Sequence, residues 1–395
     1  MRQNLVFIGK SISAILLAIC SILFAFRISE SLKSHFTNLP IQSEYLPLIV
    51  TLVVISFILL FQSHPQNLLK RVFKPTIVSA QLLFYLIAFW VTYIIIFSRS
   101  QHNTKVIVSG SEHISDSILV YTYPANGKRH EIIITNNDTV VNAEYNFDSL
   151  SRRQMPERSN AKRATLFFGC SYTFGDGVSD RETLPYHYYI NDSSENVYNY
   201  AIDGWGPQQT FSLMRSAKIR NEVVGDTVTG IYVFIDDHLR RVICDKHHVN
   251  TWTKNFACYG LEHDSLIYRG TFASVFPARL KLFNILAETK VFDGFDIPIR
   301  FTDESYRITT ELIRQSALAF HQQFRQGEFY VVIYPGQDAK IAAYLQRAGI
   351  KTIDLSLFFK EPYKMLIPNQ GHPWPHAYEL VAGEVYRQIN SIKKH

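Results

Sequence analysis

A serine that follows a predicted strand is the residue of this chain best placed for nucleophilic chemistry. Residues 164–168 form a short run of mostly apolar side chains, which predicts a buried strand. Ser171 comes shortly afterwards, in a turn bounded by Gly169 and Gly175. Such a turn presents a hydroxyl at the carboxyl end of the strand, where the backbone N–H groups of a following helix stabilise negative charge. The pattern favours a nucleophile, although serine is also a common helix N-cap.

Three later segments carry residues that a catalytic site could use. Gly204 lies in a turn after a second predicted strand, Asp236 and Asp237 end a third one, and His372 lies in a loop near the C-terminus. Each has an ordinary structural interpretation, since a glycine permits a turn with positive φ and a histidine beside a proline suits a surface loop. It is the joint occurrence of the four segments, in this order, that predicts a site.

The order and spacing of these segments resemble the four sequence blocks of the GDSL, or SGNH, hydrolase family. The resemblance extends over residues 146–392, and Cys170 stands where that family usually has aspartate. It implies a flavodoxin-like, three-layer α/β domain built around a parallel sheet. It also implies that Ser171 is the nucleophile, that His372 is the base, and that the N–H of Gly204 helps to form the oxyanion hole. Neither a metal ion nor another cofactor is expected.

Two positions depart from the family pattern. Asp236 stands where the family has an asparagine that donates to the oxyanion, and an ionised carboxylate there would repel the developing charge. Asn369 stands three residues before His372, at the position of the family's acid, and it can orient an imidazole without stabilising imidazolium. The sequence therefore predicts a Ser–His dyad. The candidates for a relocated acid stay open and are Asp203, Asp237 and Asp354.

The first hundred residues contain three long apolar runs, at 12–26, 46–61 and 80–97. Each run approaches the roughly 20 residues that cross a bilayer, which predicts three transmembrane helices. The loop between the second and third runs carries Lys70, Arg71 and Lys74 and no acid, so the positive-inside tendency places it in the cytoplasm. The chain is then expected to be a multi-pass protein of the cell (inner) membrane, with its catalytic domain outside the cytoplasm.

Charge and cysteine content bear on several other classes of site. The formal net charge of +6 is modest, and no basic patch is interleaved with aromatic residues, so nucleic acid is not expected as a partner. No Cys/His spacing predicts a structural zinc site. Cys244 and Cys258 flank a short polar segment and could form a disulfide in an oxidising compartment, with two free thiols as the equal alternative.

The predicted domain order is a transmembrane region at 1–100, a β-rich stalk or lid at 101–160, and the hydrolase-like domain at 161–395. The β-rich strands are predicted at 105–109, 118–123 and 131–135. In the last domain, strands predicted at 165–168, 197–201, 230–234, 328–333 and 351–355 alternate with helices predicted at 207–220, 303–323 and 339–348. This alternation indicates a parallel sheet covered on both faces. Residues 244–298 form an insertion without clear periodicity, interpreted as a substrate-shaping lid.

Three functions fit these observations. The first is an esterase that acts on acyl esters of cell-envelope glycans or lipids through an acyl-enzyme at Ser171. The second is an acyltransferase, which would pass the same acyl group to a sugar hydroxyl. The third is an inactive binding protein of the envelope, which Asp236 and Asn369 favour. Aromatic residues of the insertion could stack on a sugar, or could simply pack against one another; they are Trp252, Phe256, Tyr259, Tyr268 and Phe272.

Overall fold

The computed structural model describes residues 104–192, 194–243, 252–288 and 301–394. The three apolar runs that predict transmembrane helices lie outside these residues. Within the described ranges, no helix combines the length and the apolar character that crossing a membrane requires.

The strands of the described residues are, in chain order, β1 (Thr104–Gly110), β2 (Ile114–Asp116), β3 (Val120–Thr122), β4 (Lys128–Thr135), β5 (Asp138–Asn146), β6 (Arg163–Phe168), β7 (Glu195–Asn199), β8 (Thr227–Phe234), β9 (Ala257–Glu262), β10 (Ser265–Thr271), β11 (Glu328–Ile333) and β12 (Lys351–Asp354). The α-helices are α1 (Ser171–Phe174), α2 (Leu184–Ile190), α3 (Pro207–Arg215), α4 (Asp237–Val242), α5 (Phe272–Val275), α6 (Pro277–Glu288), α7 (Asp303–Gln323), α8 (Lys340–Arg347) and α9 (Pro375–Lys394).

A five-stranded parallel sheet in the order β12-β11-β8-β6-β7 forms the centre of the fold. The strands β6, β7, β8 and β11 are buried almost throughout, as expected of a parallel sheet with both faces covered. All five strands were predicted, and the bounds of β11 are those expected from the sequence. The strand that leads to Ser171 lies inside the sheet, between β8 and β7.

Alternate residues of the strands enter two separate cores. Phe167 and Ile231 lie in a core with α2 and α9, whereas Leu166 and Tyr232 lie in a second core with α7 and α8. The result is a three-layer α/β/α arrangement, as predicted. The helix expected at 207–220 ends at Arg215, because Ala217 adopts a left-handed φ of 55° that an α-helix cannot accommodate.

The β-rich segment is the part of the chain between β1 and β5. Strands β1, β4 and β5 form an antiparallel sheet, and β2 pairs with β3. The sequence did not predict β5, although its burial alternates with the period of two that is typical of a strand with one buried face. Tyr123 stacks on Phe147, with ring centroids 4.1 Å apart, and on Phe174 of α1, with ring centroids 5.7 Å apart. The segment therefore shares a hydrophobic core with the parallel-sheet domain.

The described part of the insertion contains the antiparallel hairpin β9–β10 and the helices α5 and α6, and its residues 244–251 and 289–298 lie outside the described ranges. Phe256 and Phe272 are completely buried, so these two aromatic residues pack in the core. Tyr268 is 59% exposed and contacts Tyr259 with ring centroids 5.7 Å apart. Cys258 is a buried free thiol. The disulfide suggested for Cys258 is thus not formed in this structure, and Cys244 lies outside the described residues.

Candidate active site

The nucleophile candidate occupies the first position of a one-turn helix at the carboxyl end of β6. Ser171 is 5% exposed, and its hydroxyl contacts the Sγ atom of Cys170 at 4.0 Å. Gly169 precedes it with a φ of 148°. A Cβ atom on Gly169 would lie 2.4 Å from Oγ1 of Thr173, so this turn requires glycine. The strand, the turn and the start of the helix together place the serine hydroxyl at the edge of the sheet where α/β proteins bind ligands.

The base candidate is carried by a loop that reaches the nucleophile helix. The N–H of Ile367 donates to the carbonyl oxygen of His372 at 2.7 Å and closes this loop. Tyr172, the residue next to Ser171, donates its hydroxyl to the carbonyl oxygen of Gly371 at 2.7 Å, and its ring lies 5.8 Å from the imidazole. The structure thus brings the two segments together. No hydrogen bond joins the Ser171 hydroxyl to the imidazole within the described part of the chain.

An acid that lies outside the four sequence blocks is found beside the imidazole. Oδ2 of Asp176 is 3.6 Å from Nε2 of His372, and both side chains are about a quarter exposed (29% and 25%). The backbone N–H of Asp176 donates to the carbonyl oxygen of Ser171 at 3.0 Å. The only sequence signal for Asp176 is weak, since it is a carboxylate flanked by Gly175 and Gly177. In the structure these glycines have φ values of 88° and 84° and form the turn that ends the helix of Ser171.

The other acid candidates have different partners. Asn369 is exposed, has a left-handed φ of 60°, and its side chain makes no hydrogen bond with the described residues. Asp237 pairs with Arg240 at 3.5 Å and with Arg241 at 3.4 Å. Asp354 is exposed and accepts the N–H of Ser356 at 2.9 Å. No hydrogen bond or ion pair links Asn369 or Asp354 to His372 among the described residues.

Asp236 is engaged by the loop that follows β11. Its Oδ1 accepts the N–H of Asp338 at 2.9 Å, and its own N–H donates to Oε1 of Gln337 at 2.8 Å. Burial, together with the charges of Asp338 and Asp237, raises the pKa of the Asp236 carboxyl from 3.8 to about 6. The position aligned with an oxyanion donor therefore holds an acid that accepts a backbone hydrogen bond.

A buried arginine connects the nucleophile turn to the loop of Gly204. Arg241 is 5% exposed, and its Nη1 donates to the carbonyl oxygen of Trp205 at 2.7 Å. The same guanidinium lies near the side chain of Cys170. Gly204, with a φ of 76°, lies between Asp203 and Trp205 in this loop. Arg241 thus lies between the two chain segments that flank the expected oxyanion hole, and no local pattern in the sequence signals this position.

The β-rich segment holds the other side of the same loop. Nε2 of His113 lies 3.0 Å from Oδ1 of Asp203, and the hydroxyl of Tyr121 donates to the carbonyl oxygen of Asp203 at 2.8 Å. The indole N–H of Trp205 donates to the carbonyl oxygen of Tyr121 at 3.2 Å. Burial alone would raise the pKa of the Asp203 carboxyl, but hydrogen bonds from His113 and Tyr123 hold it below its usual range. Asp203 therefore serves the docking of the β-rich segment.

The described residues contain no group of three or more His, Cys, Asp or Glu side chains that could hold a metal ion.

Comparison with known proteins gives matches in structure and none in sequence. No protein-family model and no curated protein matches the chain. The chain is similar to the crystal structure of a member of the lipolytic G-D-S-L family from Veillonella parvula, with 14% identity, a TM-score of 0.33, and coverage of 57% of this chain and 97% of that one. It is also similar to an acetyl xylan esterase from Butyrivibrio proteoclasticus, with 11% identity, a TM-score of 0.36, and coverage of 74% and 90%. A third similar structure is an acetylxylan esterase from Geobacillus stearothermophilus, with 11% identity, a TM-score of 0.32, and coverage of 59% and 96%. The solved structures that resemble this chain thus include a member of the family that the four sequence blocks resemble.

Proposed function

We propose that the protein is a serine ester hydrolase of the SGNH type. The observation that carries this proposal is the His372–Asp176 pair beside the segment of Ser171, at 3.6 Å between Nε2 and Oδ2. A hydroxyl at the carboxyl end of a sheet strand, an imidazole and a carboxylate are the three groups that acyl transfer through a serine requires. In this proposal Asp176 is the acid, so the site is a Ser–His–Asp triad instead of the Ser–His dyad that the sequence predicts.

The reaction proceeds through an acyl-enzyme. The Ser171 hydroxyl attacks the ester carbonyl while His372 accepts its proton, and the imidazolium then protonates the departing alcohol as the C–O bond breaks. Water attacks the acyl-enzyme with His372 again as base, which releases the acid and restores the hydroxyl. Asp176 stabilises the imidazolium in both halves. In the free protein the hydroxyl faces Cys170, so the bond between Ser171 and His372 forms as substrate binds, as is common for catalytic hydrogen bonds.

The oxyanion is stabilised by backbone N–H groups of Ser171 and Gly204. Asp236 contributes no donor when ionised, and its charge opposes the developing alkoxide. The cation that acts on the ionised Asp236 carboxylate is Arg240. The buried guanidinium of Arg241 lies behind the turn, where it donates to the carbonyl oxygen of Trp205. The proposed oxyanion hole therefore differs from one that contains an asparagine. A buried guanidinium lies behind the turn, and no side-chain amide donates to the oxyanion.

The test is covalent labelling with a fluorophosphonate probe and hydrolysis of a chromogenic acetyl ester by the full-length chain. We expect the adduct on Ser171, and we expect Ser171→Ala to abolish both labelling and hydrolysis. Ser316→Ala is the matched control, since Ser316 is equally buried and its hydroxyl donates to the carbonyl oxygen of Leu312 on α7. Full hydrolysis by Ser171→Ala would refute the proposal.

We further propose that the three apolar runs at 12–26, 46–61 and 80–97 anchor the enzyme in the cell membrane, with the catalytic domain outside the cytoplasm. The uncompensated charges of Lys70, Arg71 and Lys74 support this orientation. Acyl esters of envelope glycans or lipids are then the substrates within reach. A reporter enzyme fused after Ser100 should be active only outside the cytoplasm, and activity only inside would contradict the orientation.

A further inference from the structure

A buried tyrosine of the β-rich segment lies between two carboxylates, and one of them is the acid of the proposed site. Tyr145 is 1% exposed. Its hydroxyl is 2.8 Å from Oε2 of Glu131 on the neighbouring strand β4 and 3.4 Å from Oδ1 of Asp176. It also accepts the backbone N–H of Gly177 at 2.9 Å. A single phenol oxygen therefore contacts the β-rich segment, the acid and the turn that carries the acid.

The proton count at this oxygen decides what it can do. A phenol has one proton to donate, and two carboxylates compete for it. If Glu131 is ionised, the phenol O–H donates to Glu131, which is the nearer carboxylate, and Asp176 receives no hydrogen bond from Tyr145. If Glu131 is protonated, its own O–H donates to the phenol oxygen, and the phenol proton is available to Asp176. Burial raises the pKa of the Glu131 carboxyl, with the charge of Asp176 adding to the effect, which favours the second arrangement.

We propose that Tyr145 is a positioning residue for the reaction: it donates to Asp176 and holds that carboxylate beside His372, with Glu131 as the group that turns the phenol proton toward Asp176. This inference rests on the proposed ester hydrolase function. It makes the β-rich segment part of the active site, since β4 and β5 then supply two of its four linked side chains.

Other charged groups face this network from each packed element. Arg129 on β4 lies 3.6 Å from Oε1 of Glu131, and the guanidinium of Arg153 lies 4.3 Å from the centre of the Tyr145 ring. The carboxylate of Asp203 acts on Glu131 from the loop of Gly204. Arg129 favours ionised Glu131, whereas the charges of Asp176 and Asp203 favour the protonated form.

The experiment compares Tyr145→Phe with the control Tyr200→Phe in the full-length chain. Tyr200 is also buried, and its hydroxyl also bonds a carboxylate, Oε2 of Glu222 at 3.0 Å, but in the other core. We expect Tyr145→Phe to lower kcat about tenfold with little change of KM, as expected for loss of one hydrogen bond that positions a catalytic group. The acid limb of its pH profile should shift to lower pH, because imidazolium loses the nearby carboxylate. Tyr200→Phe should leave kcat and the profile unchanged.

A second variant, Glu131→Gln, provides a test that does not depend on whether Tyr145→Phe folds. Glu131→Gln retains a donor toward the phenol oxygen, so we expect a smaller loss of kcat than the roughly tenfold loss in Tyr145→Phe. A large loss of kcat in Glu131→Gln, or an unchanged kcat and acid limb in folded Tyr145→Phe, would overturn the inference. Both outcomes leave the hydrolase proposal intact if Ser171→Ala is inactive. An active Ser171→Ala protein would instead remove the function on which the inference rests.

Discussion

Asp176 lies 3.6 Å from Nε2 of His372 and hydrogen-bonds, through its own backbone, to the carbonyl oxygen of Ser171. The acid and the nucleophile of the proposed site thus belong to one short stretch of chain. The resemblance to the SGNH family implies an acid next to the histidine instead. Asn369 at that position lacks a carboxylate, and the turn after the nucleophile helix supplies one.

Replacing the acid should separate the two possible arrangements. Asp176→Asn should lower kcat by about 10²–10⁴, because the amide cannot stabilise imidazolium. Asn369→Gly keeps the left-handed backbone at that position and should change kcat by less than about twofold, since the Asn369 side chain is exposed and has no hydrogen bond in the described structure. Steady-state hydrolysis of a chromogenic ester between pH 5 and 9 measures both. A larger loss in Asn369→Gly than in Asp176→Asn would restore the arrangement that the sequence predicts.

Asp236 should make stability depend on pH. Its pKa is raised from 3.8 to about 6 on folding, so its favourable contribution is fully present below about pH 4 and is lost as the pH rises through 6. Asp236→Asn still accepts the N–H of Asp338 and carries no charge. At pH 8 it should increase the free energy of unfolding by up to about 3 kcal/mol, and below pH 4 the difference should disappear. Thermal unfolding at both pH values tests this, with exposed Asp226→Asn as the control. Equal stability of Asp236→Asn and the parent at pH 8 would contradict it.

Arg241 should matter for both stability and rate. Arg241→Lys replaces the planar guanidinium that donates to the carbonyl oxygen of Trp205 and lies near Cys170 with a compact ammonium. We expect a loss of about 3 kcal/mol of stability and about tenfold in kcat. The control is Arg240→Lys, since Arg240 pairs with the same Asp237 from a side chain that is 34% exposed. If the two substitutions have similar effects, the losses of stability and kcat come from the pairing with Asp237 and not from the position of Arg241 between the two segments.

The docking of the β-rich segment should weaken in acid. The pKa of Asp203 is held below its usual range, so its contribution to stability is present above about pH 4 and is lost as the pH falls through the folded value. Asp203→Asn should lower the Tm by several degrees at pH 7 and have no effect near pH 2. Differential scanning calorimetry of this variant, with exposed Asp138→Asn alongside, measures the difference. A Tm that falls equally at both pH values would exclude a role for the carboxylate charge.

The parallel sheet was predictable because its signals are local. Apolar runs of strand length gave all five strands, and Thr302 caps α7, whose observed range is the predicted one. Strand β5 has no such local signal, because the polar residues Asn142 and Glu144 interrupt its apolar run; the buried residues of its inner face alternate with them.

The chemistry of the site was only partly predictable, because its groups meet through long-range packing. Ser171, Gly204, Asp236 and His372 stand out by their position after strands or in a known order of blocks. Asp176 does not, since its role depends on where the loop of His372 closes. Arg241 and Tyr145 act through contacts with distant segments, and neither residue type at those positions signals such a contact in the sequence. No local pattern specifies which of several carboxylates a histidine will face.

In the proposed reaction, the hydroxyl bond from Tyr172 to Gly371 links the loop of the general base to the residue next to the nucleophile. Ser171 and Asp176 are covalently close and move together, whereas His372 is attached through this tyrosine to a separate loop. An acyl group bulky enough to displace Tyr172 would draw the general base away from the nucleophile at the same time. Such a substrate would bind and then fail to react. We therefore predict that kcat, far more than KM, falls as acyl esters become bulkier, and that Tyr172→Phe loosens this discrimination; a series in which only KM changes would contradict it.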